Sequence, residues 1–277
     1  MVQIISDSSI LYTREQACEI GIEAVPLCVS CGYVEGRDMH INMDEYYEAI
    51  RMGHNPKSSQ PPIGDVIDIY EKYPDADIIN ISMADGLSGT YENACMAREM
   101  VENKDRITVI NSKTLCGPHR YMVEKAQKMK LAGYSAKEII DWLNHAVERH
   151  KSFLIPQDFN FLRRGGRLTP MAATLGTVFK LKPVMTQTAD GKKLDKFAVK
   201  RTMKSAVQEV INYMKEKKVD ERHIIYLSHA RALKDAEYVK AQLEKHFKNV
   251  EIRMLELGAA FVTHGGPLCV AIQYIEK

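Results

Sequence analysis

Residues 77–94, DIINISMADGLSGTYENA, constrain this chain more than any other segment. Residues 78–83 form a short, isoleucine-rich apolar stretch, the pattern of a strand buried on both faces of a parallel sheet. Gly86, Ser88, Gly89 and Thr90 follow at once, and a helical period then runs through Tyr91, Ala94, Cys95 and Val101. A strand feeding a glycine- and hydroxyl-rich loop that opens a helix is one way α/β folds hold anions. The helix start offers unpaired N–H groups and the positive end of its dipole, and small residues let a ligand approach the backbone. The segment therefore predicts a parallel α/β sheet with an anion-holding loop at its edge.

Strand and helix signals alternate around it. An apolar strand at 2–5 ends in the polar run SDSS at 6–9, and Thr13 with Gln16 makes a capping box for a helix through Ile20, stopped by Gly21. Residues 22–29 read as one strand. A helix at 43–52 has Asn42 as N-cap and Gly53 beyond its end. The loop NPKSSQPP at 55–62 opens a helix with the apolar face Ile63, Val66, Ile67 and Tyr70, ended by Pro74. A strand at 106–110 runs into Asn111, Ser112 and Lys113, and helices at 117–131 and 136–149 follow, the second with a Ser135/Glu138 capping box. This β-α-β-α traffic predicts an N-terminal α/β domain with a mostly parallel, doubly wound sheet.

The texture changes near Lys151. A strand at 152–155 leads into FNFLRRGGR, a helix opens at Pro170 behind Thr169, and strands at 184–188 and 194–198 flank Asp190-Gly191, a hairpin signal. Helices at 201–216 and 234–247, with strands at 223–228, 250–255 and 268–275, make the C-terminal part a mixed α/β domain. The division expected is 1–155 for the N-terminal domain, with the hydroxyl-rich loops, and 156–277 for the C-terminal domain, with the His264 loop. Neither repeats nor a flexible linker interrupt the chain.

Composition excludes several classes of function. With 277 residues, 45% apolar and 27% charged, the chain can bury a real core in one large or two medium domains. Its 38 basic and 36 acidic side chains leave a net charge of +2, no footprint for nucleic acid or an acidic membrane surface. MVQIIS enters a strand without a signal peptide, and no apolar run reaches spanning length, so a cytoplasmic protein without a membrane span is expected. The six cysteines, at 18, 28, 31, 95, 116 and 269, are scattered and read as free thiols.

Four polar loops carry the candidate chemistry: residues 6–9, 58–60, 86–90 and 111–112. Strands of a parallel sheet present their carboxyl ends on one side, where ligands bind. Hydroxyls on several loops, with no acid–base pair among them, suit holding an anionic head group rather than breaking bonds. Any one serine reads better as a cap or turn residue; the clustering weakens that reading and singles out Ser59 and Ser88. The run around Ser88 lacks the final glycine of a nucleophile elbow, and no phosphate loop or zinc-protease motif is present. Cys28 and Cys31, three apart in a strand, point to opposite faces and read as packing residues. His264, within THGGP, is presented by a tight loop and could pair with a carboxylate. Arg163, Arg164 and Arg167 form a short basic turn, by itself more often a solvated loop than a phosphate grip. No catalytic residue and no metal site is expected.

Taken in order, KSSQPP, GLSGTY, FLRRGGRLTP, LKPVM, VKRT and THGGP resemble the DegV family along the whole chain. That family includes the FakB-type, fatty-acid-binding subunits of bacterial fatty acid kinase. The resemblance implies two α/β domains, a long-chain fatty acid with a buried tail, and no other cofactor. It implies a carboxylate met by Ser59 with Ser58 beside it, by Ser88 with Gly89, and by His264. It also implies a partner, the fatty acid kinase catalytic subunit, which supplies ATP and metal and converts the bound acid to an acyl phosphate. Arg167 and Arg201 match family arginines near the head group or the partner-facing surface; Arg167 is assigned to the ligand, and Arg163, Arg164 and Arg201 to the partner. The chain departs from the family pattern at Ser58, usually threonine, at Asn111, usually aspartate, at Pro118, in a segment normally rich in glycine and serine, and at Leu268, usually glycine. None of these removes Ser59, Ser88 or His264. Two other functions stay open on the sequence alone: a hydrolase or phosphotransferase using Ser88 or His264, and a sensor or binding module for another amphipathic anion.

Overall fold

The computed structural model describes residues 1–174 and 181–277. Two compact units emerge, Met1–Glu148 with Gly258–Ala260, and Arg149–Leu257 with Phe261–Lys277. The first contains β1 (Val2–Asp7), α1 (Arg14–Glu19), β2 (Ile22–Val25), β3 (Cys28–Cys31), β4 (Val34–Arg37), α2 (Met43–Arg51), β5 (Lys57–Ser59) and α3 (Ile63–Glu71). β6 (Asp77–Ser82), α4 (Thr90–Glu99), β7 (Ile107–Asn111), α5 (Cys116–Leu131) and α6 (Ala136–Ala146) complete it.

Its main sheet has the order β2-β1-β6-β7, parallel throughout. Alternation sends Ile5 and Ile78 to the face covered by α3 and α4, where they meet Val66, Ile69, Tyr70, Ala97 and Val101. Ile4, Ile79 and Ile81 point the other way, toward α5 and α6, and are fully buried. The sheet is thus doubly wound, as the β-α-β-α pattern implies. From β1 the chain steps to β2 on one side and later to β6 on the other, so the β1/β6 junction is the topological switch point. Crevices at the carboxyl ends open there.

Two expectations need correction. The single strand at 22–29 is two strands, because Pro26 has no N–H to donate to a ladder and the chain leaves the parallel sheet after Val25. Cys28–Cys31 then joins a separate antiparallel sheet, β4-β3-β5. The segment 57–59, read as loop, is β5, with Ser58 opposite Val29 and Ser59 opposite Cys28.

The second unit contains β8 (His150–Ile155), α7 (Phe159–Gly165), α8 (Pro170–Ala173), β9 (Lys182–Gln187), β10 (Leu194–Lys200), α9 (Met203–Glu216), β11 (His223–His229), α10 (Leu233–His246) and β12 (Glu251–Glu256). α11 (Ala259–Gly265) starts within residues assigned to the first unit, and β13 (Val270–Glu276) closes the chain. The sheet order is β10-β9-β8-β13-β11-β12, antiparallel except for the β11/β12 pair. α9 and α10 bury Val207, Val210, Ile211, Val239 and Leu243 against Phe153, Ile225, Leu227 and Ile272 of this sheet. β8 pairs with β9 and β13 and belongs with the second unit, which begins at Arg149. The basic turn expected at 163–167 is the end of a helix: the Asp158 side chain caps α7, Phe161 and Leu162 bury one side of it, and Gly166 at φ 70 ends it. Arg163 and Arg164 therefore sit in a last helical turn, where cations suit the dipole. No helix among the described residues is long and apolar enough to cross a membrane.

Candidate ligand-binding site

Two of the four polar loops turn inward. Ser6, Asp7, Ser8 and Ser9 are all buried at the switch point, and each has its own protein partners. Ser6 Oγ donates to the Ile81 carbonyl at 2.8 Å. The Asp7 carboxylate accepts from the backbone N–H groups of Ser9 and Met83, both at 2.9 Å. Ser8 Oγ donates to Asp38 Oδ2 at 2.8 Å and accepts from Leu27 N at 3.1 Å. Ser9 Oγ lies 2.7 Å from His119 Nδ1, while His119 Nε2 meets the Ile81 carbonyl at 3.0 Å. A carbonyl only accepts, so Nε2 carries the proton and Nδ1 accepts from Ser9. The imidazole is neutral: burial pushes its pKa down, against the opposing charge of Asp7. Burial likewise pushes the Asp38 carboxyl up, though Ala260 N donates to its Oδ1 at 3.1 Å. The loop at 111–112 is also satisfied internally, with Ser112 Oγ on the Thr114 carbonyl and Lys113 N on Asn111 Oδ1. His119 and Asp38 had escaped the sequence reading, since neither stands in a recognisable local motif.

The other two loops face outward and meet. Ser59 is exposed, and Ser58 and Ser88 are half-buried. The Gln60 side chain lies against Gly89, where a β-carbon would stand 2.2 Å from its Oε1, so a larger residue there would require this side chain to move. Asn93 Nδ2 fastens the same contact by donating to the Pro61 carbonyl at 3.0 Å. Ser88 Oγ sits 2.8 Å from Thr90 Oγ1. Gly89 is the N-cap of α4 and brings no capping side chain, leaving the positive end of the dipole beside these hydroxyls. Hydroxyls, an amide and a helix start can hold an anion; they include no base that would activate Ser88.

The second unit holds the remaining candidates. His264 lies in the last turn of α11 and not in the expected loop. Its Nδ1 is sealed from solvent, 2.7 Å from where a β-carbon on Gly165 would stand. Burial, with the neighbouring Arg167 charge, lowers its pKa to about 4, so the ring is neutral at pH 7. Arg167 is half-buried, donates to the Gly165 carbonyl, and has its own pKa lowered by burial. The cationic charge beside His264 is therefore the guanidinium. Arg163, Arg164 and Arg201 are exposed, Arg164 over the Phe161 ring at 4.7 Å. Leu268, where the family has glycine, takes a left-handed φ of 61. Thus Ser58, Ser59, Ser88 and Gly89 belong to the first unit and His264 and Arg167 to the second.

A cavity of about 440 Å³ opens in the first unit beside Arg14, Arg37, His40, Asp65, Asp68 and Ile69, and no candidate ligand residue lines it. All six cysteines are free; Cys28 Sγ accepts from Arg37 Nη1 at 2.8 Å, and Cys31 is buried. Among the described residues no three His, Cys, Asp or Glu side chains are placed to share a metal ion.

The family model described as "Uncharacterised protein, DegV family" matches residues 1–277. The chain belongs to the DegV family. A DegV domain-containing protein of Caldanaerobacter subterraneus is 28% identical over 285 residues, covering 100% of this chain and 99% of the relative. The DegV fold is shared with DegV of Bacillus subtilis, a fatty acid binding protein, at a TM-score of 0.85 and 26% identity over 100% of this chain and 99% of that one. A DegV family protein from Thermus thermophilus, whose structure concerns fatty acid binding, superposes with a TM-score of 0.90 at 24% identity, covering 100% and 99% of the two chains.

Proposed function

We propose that this DegV-family chain binds one long-chain fatty acid and presents its carboxylate to a separate kinase, which phosphorylates it to an acyl phosphate. The observation that supports the reading is the approach of Gln60 and Pro61, directly after Ser59, to the uncapped start of α4, directly after Ser88. The fatty acid binding of the Bacillus subtilis relative supports the ligand class. Tail burial contributes about 0.8 kcal/mol per methylene and dominates affinity. The head group must then be paired, because an unpaired buried carboxylate costs several kcal/mol. Ser59, Ser88 and the Gly89 backbone hold it from the N-terminal domain, with Ser58 beside them. The family resemblance adds His264 and Arg167 to the residues assigned to the ligand. The chain works as a cytoplasmic carrier and not as an enzyme: Ser88 has a threonine hydroxyl for a neighbour, and the fatty acid is its one ligand. Exposed Arg163, Arg164 and Arg201 form the face for the fatty acid kinase catalytic subunit, which brings ATP and metal.

Native mass spectrometry of the purified protein, followed by ATP and a fatty acid kinase catalytic subunit, tests this. A co-purifying mass of fatty-acid size that becomes phosphorylated is the expected result. An empty protein that turns over acyl esters on its own would overturn the assignment.

A further inference from the structure

The β1/β6 switch point, where a doubly wound sheet ordinarily opens a ligand crevice, is filled here by protein side chains. The Ile81 carbonyl accepts from both Ser6 Oγ and His119 Nε2. Two residues on, Met83 N donates to Asp7 Oδ2, and Ala84 N donates to the Thr114 carbonyl at 2.9 Å. The Ala84 carbonyl in turn accepts from Leu87 N at 3.1 Å and Ser88 N at 3.3 Å. The buried Asp7 and His119 therefore anchor the backbone at Ile81 and Met83, and the next residue, Ala84, accepts from the Ser88 N–H.

Packing alone does not require this arrangement. An apolar pair would fill the same space without the desolvation that a buried carboxylate and imidazole carry. What polar groups add is direction, since Asp7 and His119 fix the height at which β6 ends and the loop begins. We propose that Asp7 and His119 are positioning residues that set the Ser88 loop against the ligand head group; this rests on the head-group role of Ser88 argued above. Ser9 completes the device by holding both partners, its N–H on Asp7 and its hydroxyl on His119.

The test uses the full chain with Asp7→Asn, the milder Ser9→Ala, and Ile139→Val as a control in the buried face of α6, far along the chain from the loop. Two readouts are taken: amide hydrogen exchange across residues 83–90, and the ratio of affinities for palmitic acid and its methyl ester. A positioning role predicts faster exchange at Met83–Ser88 and a loss of acid-over-ester preference of about tenfold in Asp7→Asn, the loss expected from about 1.4 kcal/mol of misplaced head-group hydrogen bonding. Ser9→Ala should show the same change in smaller degree, and Ile139→Val should change neither at a matched loss of thermal stability. Variants that lose stability but keep wild-type exchange and preference would overturn the proposal. If the wild-type chain binds neither compound, the head-group reading fails instead, while exchange at 83–90 still decides whether Asp7 and Ser9 hold the loop.

Discussion

Neighbouring strands β1 and β6 end in loops of similar composition, SDSS and GLSGT, and the two have opposite fates. Every member of the first is buried and its polar atoms are spent on Ile81, Met83, Leu27, Asp38 and His119. The second keeps Ser88 half-buried, with one hydroxyl neighbour and an uncapped helix behind it. A buried hydroxyl whose partners are all protein contributes to stability and has nothing left to offer a ligand. A hydroxyl at a helix start with a short-range partner can exchange that partner for an anion. Composition cannot tell these apart; satisfaction of the donors and acceptors does.

That contrast can be broken most directly at His119. Replacing it by alanine removes a fully buried ring and strands the Ser9 hydroxyl, so urea unfolding should report a loss of about 3 kcal/mol or more. A loss under about 1 kcal/mol would mean the inward loop is not a structural hub.

Swapping the same mutation between the loops sharpens the comparison. Ser9→Ala should cost about 1–2 kcal/mol of stability, whereas Ser88→Ala should stay within about 0.5 kcal/mol of wild type. Ser88→Ala and His264→Ala should instead weaken fatty-acid head-group binding by about 1–3 kcal/mol each, measured by calorimetry, while the tail keeps lipid on the protein. Equal stability losses at Ser9 and Ser88 would erase the distinction.

A gentler effect is expected from pH. Burial holds His119 and His264 neutral in the folded chain, with His264 lowered from 6.5 to about 4. The unfolded chain therefore binds more protons between pH 6.5 and 4, and stability is complete above pH 6.5 and falls as the pH drops through that interval. His264→Gln should flatten the fall seen in thermal melts; an unchanged curve would show that His264 is already charged when folded.

The smallest effects belong to the arginines. Arg163→Ala, Arg164→Ala and Arg201→Ala should leave lipid occupancy intact, slow association with the kinase, and reduce its salt dependence. Arg167→Ala, beside His264, should weaken the head group instead. If all four lose lipid together, the exposed arginines belong to the ligand site.

Much of this architecture is legible locally. The Thr13/Gln16 and Ser135/Glu138 capping boxes form as read, because both partners lie within one helical turn. The isoleucine run of β6, the glycine-rich start of α4 and the Asp190-Gly191 hairpin need only near neighbours as well. The ordered motifs were enough to place the chain in its family. Other features depend on distant parts of the chain. β5 is three residues long, too short for an alternation signal, and is a strand only because β3 lies beside it. The end of α7 reads as a basic turn because its apolar residues, Phe159, Phe161 and Leu162, all lie before the arginines. SDSS looked like a ligand loop because its decisive partner, His119, is 110 residues from Ser9. Sequence alone determined most of the elements, the winding of the N-terminal sheet and the set of candidate hydroxyls. Tertiary structure alone decided which hydroxyls remained available, since a polar group's partners are chosen by whatever the fold packs against it, and burial makes that choice binding.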